Sequence, residues 1–297
     1  MVHFDLPPPA GLTVKTVAYL PHRSPSVRGR LATVGSAVLA RSVWRCEEED
    51  YPLVRWATLS HPLLPEPFEG IRIAQIADVH AGAFMPPARL ARVRALVETL
   101  NPDLVVFTGD QLDRRAVDAE LFVHGFAGLA APLGVFGVLG NHDHLASREL
   151  GIAALDAVGA TPLVNACAPV ERGGACLLVA GVDDLESPKG PNFPIVQRYR
   201  ADFRLLLCHQ PRGWARARRA GAELTLSGHT HGGQIAFPSQ GVNLARLTTR
   251  YVAGPYGDGH HALFVSRGVG VGAVPLRWGS PPEVDLITLR RGPFHWA

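Results

Sequence analysis

The sequence predicts an α/β fold, opening with βαβ units that feed a largely parallel sheet and closing with a β-rich second half. Three observations carry that expectation. From Ile71 onward, apolar runs of strand length alternate with segments whose apolar residues recur at helical spacing. Breakers such as Asn101-Pro102 and Gly159 fall between them. The composition is that of an ordinary folded chain, 297 residues and 47% hydrophobic, which suffices to bury a sizeable core as one large domain or two small ones.

The elements follow in order. Residues 71–77 read as a strand, and residues 87–100 as a helix because Leu90, Val93, Leu96, Val97 and Leu100 share one face. Strand 103–108, helix 117–130, strand 135–139 and helix 148–158 come next, the last ended by Gly159. In the second half, residues 168–171 and 176–180 flank Arg172-Gly173-Gly174 as a hairpin, and strands are expected at 203–208 and 223–227.

Ahead of these lies an extension, residues 1–58, with the functional domain expected over 59–297. The extension contains Pro7-Pro8-Pro9 and an apolar run at 31–40 closed by Arg41. That run is far short of the roughly 20 residues that cross a bilayer. It is expected to pack as a short helix or to make peripheral contact with a membrane surface, a late signal segment ending at Val38-Leu39-Ala40 being the alternative. A cytoplasmic location, or one peripheral to the inner membrane, is the matching expectation. Net charge is only +3 and the basic residues are scattered, so no nucleic-acid partner is expected. Cys46, Cys167, Cys176 and Cys208 form no CxxC pair and read as buried thiols.

Chemistry concentrates where strands end. The ends carry Asp78-Val79-His80, Gly109-Asp110, Gly140-Asn141-His142-Asp143, His209-Gln210-Pro211 and Gly228-His229-Thr230-His231. Singly, each has an ordinary explanation: Asp and Asn form turns and cap helices, and a lone histidine often sits satisfied in a core. Five such ends in one chain point instead to a shared crevice at the carboxyl edges of the strands, where distant residues converge. Imidazole, carboxylate and amide oxygen suit Mn²⁺, Fe²⁺ and Zn²⁺ alike. Gly109, Gly140 and Gly228 are expected to permit sharp turns just before the ligands. Arg114 is the candidate contact for a substrate phosphate, with Arg115 and Arg267 as further candidates; His144, His260 and His261 are expected to be surface residues.

At these blocks the sequence resembles the calcineurin-like metallophosphoesterases. The run His229-Thr230-His231-Gly232-Gly233-Gln234, with Val265-Ser266-Arg267-Gly268, is similar to the YkuE-like bacterial subgroup. The resemblance covers roughly four-fifths of the chain, from Leu59 onward. It implies a four-layer α-β-β-α sandwich of two mixed β-sheets flanked by helices. It also implies two divalent metal ions, one on Asp78, His80 and His231, the other on Asn141, His209 and His229, with Asp110 bridging both. His142 would be the catalytic histidine and Asp113 would orient it. The metals, about 3.5 to 4 Å apart, would activate a shared water for in-line attack at phosphorus.

The implied substrate is a small phosphate ester, cleaved at a phosphodiester or pyrophosphate bond. Related enzymes suggest a lipid-linked one such as UDP-2,3-diacylglucosamine, from lipid A synthesis. The alternatives are a non-catalytic metal-binding scaffold of the same fold, or a phosphomonoesterase or protein phosphatase.

Overall fold

Strands that are apolar on both faces need an apolar layer on each side, and this chain supplies three such layers around two sheets. A computed structural model describes residues 52–237, 242–272 and 276–297. The apolar run at 31–40, its cleavage-like end and Cys46 lie outside the described residues.

In chain order, β1 (Leu53–His61) and β2 (Arg72–Ile76) precede α1 (Pro87–Leu100), β3 (Leu104–Thr108) and α2 (Asp118–Phe126). Then come β4 (Val135–Val138), α3 (Asn141–Ala146), α4 (Arg148–Ala157) and β5 (Thr161–Pro162). The second half holds β6 (Ala166–Arg172), β7 (Ala175–Gly181), β8 (Phe203–Leu207), α5 (Trp214–Arg219) and β9 (Leu224–Ser227). It continues through β10 (Ala236–Phe237), β11 (Val242–Asn243), β12 (Gly254–Gly257) and β13 (Ala262–Val265), and ends with β14 (Glu283–Arg291) and β15 (His295–Trp296).

One sheet has the order β15-β1-β14-β2-β3-β4-β5, the other β12-β13-β9-β8-β7-β6, and β10 pairs with β11. The first is parallel from β2 to β5, but β14 enters it antiparallel to β2 and parallel to β1. Both large sheets are therefore mixed. Strand β1 straddles the expected boundary at residue 58.

Alternation along each strand divides the buried side chains between layers. Ile73, Leu104 and Val106 meet Leu177, Val179, Leu205, Leu207 and Leu226 between the sheets. Their neighbours Ala74, Ile76, Val105 and Phe107 face Leu90, Val93 and Val97 of α1, Phe122 and Phe126 of α2, and Leu155 of α4. On the far face of the second sheet, Ala180, Leu206, Leu263 and Val265 pack against Trp214 and Ala217 of α5 and against Phe193 and Val196. The result is the helix, sheet, sheet, helix layering.

Local chemistry explains the boundaries. The β6–β7 hairpin closes on Gly173 and Gly174, at φ 57° and 78°, the left-handed pair that a two-residue loop requires. Helix α2 stops at Phe126 rather than 130, and Gly128, at φ 80°, turns the chain out of it. Residues 141–146 form the short helix α3 where only a turn was expected. Of the three described cysteines, all free, Cys208 is buried while Cys167 and Cys176 are half-buried. Among the described residues no helix is long and apolar enough to cross a membrane.

Phe107 joins the first sheet to its helices. It is fully buried and meets Phe122 and Phe126 edge-on at ring-centroid distances of 5.3 Å each. Phe107→Ala is expected to cost about 3–5 kcal/mol, transfer and cavity terms together. Chemical denaturation would read this as a lowered midpoint, and a loss below 1 kcal/mol, about one methylene's worth, would contradict the packing described.

Candidate metal centre

All five chemistry-bearing strand ends meet at one edge of the sandwich, and both sheets contribute. Asp78 and His80 follow β2, Asp110 follows β3, and Asn141 and His142 open α3 after β4. His209 follows β8, and His229 and His231 follow β9, from the facing sheet. The crevice lies between two sheets rather than along a single open one.

Three overlapping groups form, each with one ligand-type atom per residue within 4.8 Å of the others: two clusters that share no residue, Asp78 with His80 and His231 and Asp110 with His209 and His229, and a third group of His80, Asp110 and His142 that spans them. Asp110 connects them: its Oδ2 lies 3.2 Å from His209 Nε2 and 3.6 Å from His80 Nε2. Its Oδ1 is occupied, accepting the His142 N–H at 2.8 Å. A single carboxylate oxygen thus faces both sets of imidazoles.

Other contacts aim the side chains. His209 Nδ1–H donates to the Thr108 carbonyl at 2.8 Å, which directs Nε2 into the cluster. Asp78 accepts the His229 N–H on both oxygens, at 2.8 and 3.0 Å, which fixes the β9 turn against the β2 end. Asp143 accepts from Leu112 N at 2.9 Å and Gly140 N at 2.8 Å, tying the Asp110 loop to α3. Asn141 Oδ1 is buried with no hydrogen-bond partner, although Gly140 beside it packs against Asp110 and His209. An orphaned buried carbonyl of this kind fits a cation, because leaving it empty costs about 1–3 kcal/mol.

The backbone is bent to this purpose. Asp78, His80, Asp110, His229 and His231 all sit at positive φ, between 46° and 72°. Histidine in the left-handed region costs on the order of 1 kcal/mol or more, strain that clusters at functional sites. The glycines serve differently from expectation. Only Gly109 needs positive φ, at 101°; Gly140 has φ −105°. What all three supply is room, because a Cβ would stand 2.3 Å from His209 Nδ1 at Gly109, 2.2 Å from Asp110 Oδ1 at Gly140 and 2.4 Å from Asp78 Oδ2 at Gly228.

His142 belongs to the group that spans the two clusters, its ring edge-on to His80 at 4.6 Å. Its Nδ1 is 2.7 Å from the main-chain carbonyl of Asp113 and 3.4 Å from the Asp113 carboxylate. The shorter contact is main-chain, and the same carboxylate also lies 3.6 Å from His80 Nδ1. Burial alone would lower the His142 imidazole, but bonding to Asp113 and the Asp110 charge outweigh it and hold it above its ordinary 6.5. Asp113 stays well below the usual carboxylate range, because hydrogen bonds from His142 and His80 overcome its burial.

Of the arginines, Arg114 pairs with Asp113 at 3.2 Å and is half-exposed beside the site. Arg115 is held by Asp118 at 3.1 Å and Arg267 by Glu283 at 3.2 Å. His144 is not a free surface residue: its Nε2 is 2.7 Å from buried Asp183. His261 lies against Asp258, and the His260 carbonyl contacts His61, so neither enters the clusters. The roles of further residues carried no local sign in the sequence. Gln210 donates to both oxygens of Asp184 at 3.0 Å, and Arg212 contacts Glu186. Only the spacing after His209 could have drawn attention to Arg212.

Adjoining clusters of carboxylate, imidazole and amide oxygen at the edge of two facing sheets define a metal-dependent hydrolase. Residues 71–233 match the calcineurin-like phosphoesterases, and the chain belongs to that family. It is thereby a hydrolase of phosphoester bonds. It is similar to the metallophosphoesterase YkuE of Bacillus subtilis, 31% identical over 78% of this chain and 84% of YkuE. It is equally similar to a metallophosphoesterase of Aquifex aeolicus, 31% identical over 78% of this chain and 90% of that one. The UDP-2,3-diacylglucosamine pyrophosphatase LpxG of Chlamydia trachomatis is 27% identical over 89% of this chain and 97% of its own length.

Without a cation, the second cluster holds a proton. Burial would lower His209, but the Asp110 charge and hydrogen bond raise it to about 10, while the same partner keeps Asp110 far below its usual range. His229 is pushed down to about 3 by burial and the His209 charge, with Arg212 adding to the effect. The raised His209 stabilises the metal-free fold fully below its unfolded value of 6.5, and that stability is lost as pH rises toward 10. The depressed Asp110 contributes above its unfolded value of 3.8 and loses that contribution in acid. A cation bound at His209 Nε2 must expel the proton. Mn²⁺ added to metal-free protein in weakly buffered solution at neutral pH is therefore expected to release about one proton per second-cluster site, with affinity weakening as pH falls. Metal uptake without proton release would contradict this charge state.

Proposed function

We propose that the chain hydrolyses phosphodiester or pyrophosphate bonds with two divalent cations, Mn, Fe or Zn. Asp78, His80 and His231 would hold one; Asn141, His209 and His229 would hold the other, and Asp110 would join them. The observation that carries this is the Asp110 Oδ2, placed 3.2 Å from His209 and 3.6 Å from His80 with its partner oxygen already used. Bound there, such cations lower the pKa of water and neutralise charge developing on the phosphoryl oxygens.

The chain's own residues supply the rest. His142, its Nδ1 turned to the Asp113 carbonyl, presents Nε2 as the proton donor to the departing oxygen. Asp113 orients it, and Arg114 is available to a phosphate oxygen at the same rim. The similarity to LpxG supports a nucleotide-linked pyrophosphate whose other end carries an acylated sugar, such as UDP-2,3-diacylglucosamine.

The roles separate under mutation. Asp110→Ala is expected to lose bound metal and turnover together. His142→Ala should keep metal, measured by elemental analysis, while kcat falls about 10²- to 10⁴-fold on diesters with poor leaving groups. Bis-p-nitrophenyl phosphate, whose leaving group needs no proton, should suffer less. Equal metal loss in both variants would refute the division.

A further inference from the structure

Beside the two clusters opens a groove of about 390 Å³, within the range of small-ligand sites. His229 and His231 belong to its lining, so it is continuous with the metal centre. Pro211, Gly233 and Ala245 give the rest of the lining apolar surface, and among them Glu186, Arg212, Thr248 and Thr249 contribute a carboxylate, a guanidinium and two hydroxyls. Those polar groups can fix a charged, hydroxyl-bearing group in place.

Arg212 is the cation of this groove. Its Nη2 donates to Glu186 Oε1 at 2.8 Å, and both side chains are more than half exposed. An exposed pair of this kind adds little stability, so a phosphate can take the guanidinium from Glu186 at little cost. The backbones are better fixed than the side chains. Asp184 accepts from Gln210 Nε2 on both oxygens at 3.0 Å and from the Glu186 N–H at 2.9 Å, which anchors the two segments bearing the pair. Thr249 Oγ accepts from Tyr251 N at 3.1 Å, which leaves its O–H as a donor.

We propose that this groove seats the unreacting part of the substrate and that Arg212 binds a second phosphate joined to the one attacked, making phosphoanhydrides the preferred class. This rests on the reading that the Asp110-linked clusters hold the reacting phosphoryl group. In the reaction, water gives its oxygen to the attacked phosphorus and loses a proton. The bridging oxygen leaves with its bond pair, and two phosphate monoesters result. The second phosphate, held by Arg212, carries that oxygen away as the leaving monoester, protonated by His142 where it needs a proton.

The test uses full-length, Mn²⁺-loaded protein with UDP-glucose as the anhydride, bis-p-nitrophenyl phosphate as the simple diester, and metal content measured on each sample. Arg212→Ala should lower the ratio of kcat/KM for UDP-glucose over the diester by about 10- to 100-fold, chiefly through KM, the size of a charge-assisted hydrogen bond. Arg212→Lys should recover part of that ratio, and Glu186→Gln should raise it by freeing the guanidinium. Metal content should not change. A wild type active on the diester but inert to UDP-glucose overturns the proposal, as does an Arg212→Ala ratio equal to wild type. A wild type that binds metal yet cleaves neither compound overturns the reading on which the proposal rests.

Discussion

A single carboxylate oxygen, Asp110 Oδ2, holds the arrangement together. It lies 3.2 Å from His209 of one sheet and 3.6 Å from His80 of the other. Were Asp110 to rotate, the clusters would become two unrelated groups of polar residues. Much nearby structure prevents that rotation. Its second oxygen accepts the His142 N–H, and Gly140 leaves no atom in the space the carboxylate fills. Asp143, raised to about 7 by burial and by the nearby Asp110 charge, bonds to the loops on either side.

This charge balance makes the site costly without cations. Burial opposes the ionised form of Asp78, whose pKa is raised, and opposes the protonated form of His231, which stays well below its ordinary value. The ligand residues also adopt left-handed backbone, which is uncommon for any residue but glycine. Such strain persists only where surrounding structure over-determines it. Here the surrounding structure is the paired sheets and the glycines that let their ends approach.

Bonds between the sheets keep the crevice at its width. Gln75 of β2 donates across to the Ser227 carbonyl of β9 at 2.9 Å, while its other bond, to Thr108 of β3 at 3.1 Å, stays within its own sheet. His209 reaches back to the Thr108 carbonyl, and His144 of α3 meets Asp183 just beyond β7. At Gly181 a Cβ would stand 2.1 Å from the Leu163 carbonyl, so the sheets touch nearly backbone to backbone there. The hydrogen-bonded ties are polar, so the apolar layer between the sheets gives way to a bonded network toward the site.

The sequence by itself determined the strands β2, β3, β4, β8 and β9, the helices α1 and α4, and the donor-type residues at the strand ends. Those signals are local: an apolar run, a glycine, then Asp, Asn or His. Strands β1 and β14 escaped, because polar residues such as Arg55, Thr58, Asp285 and Thr288 interrupt their apolar pattern. Only the tertiary structure decided which donors share a cluster and that Asp110 alone faces both. It alone showed that His142 leans on a carbonyl rather than chiefly on a carboxylate, and that Arg212 opens onto the same groove as His229. These are relations between distant chain segments, 151 residues apart for Asp78 and His229. They are set by how two sheets pack, which no local pattern encodes.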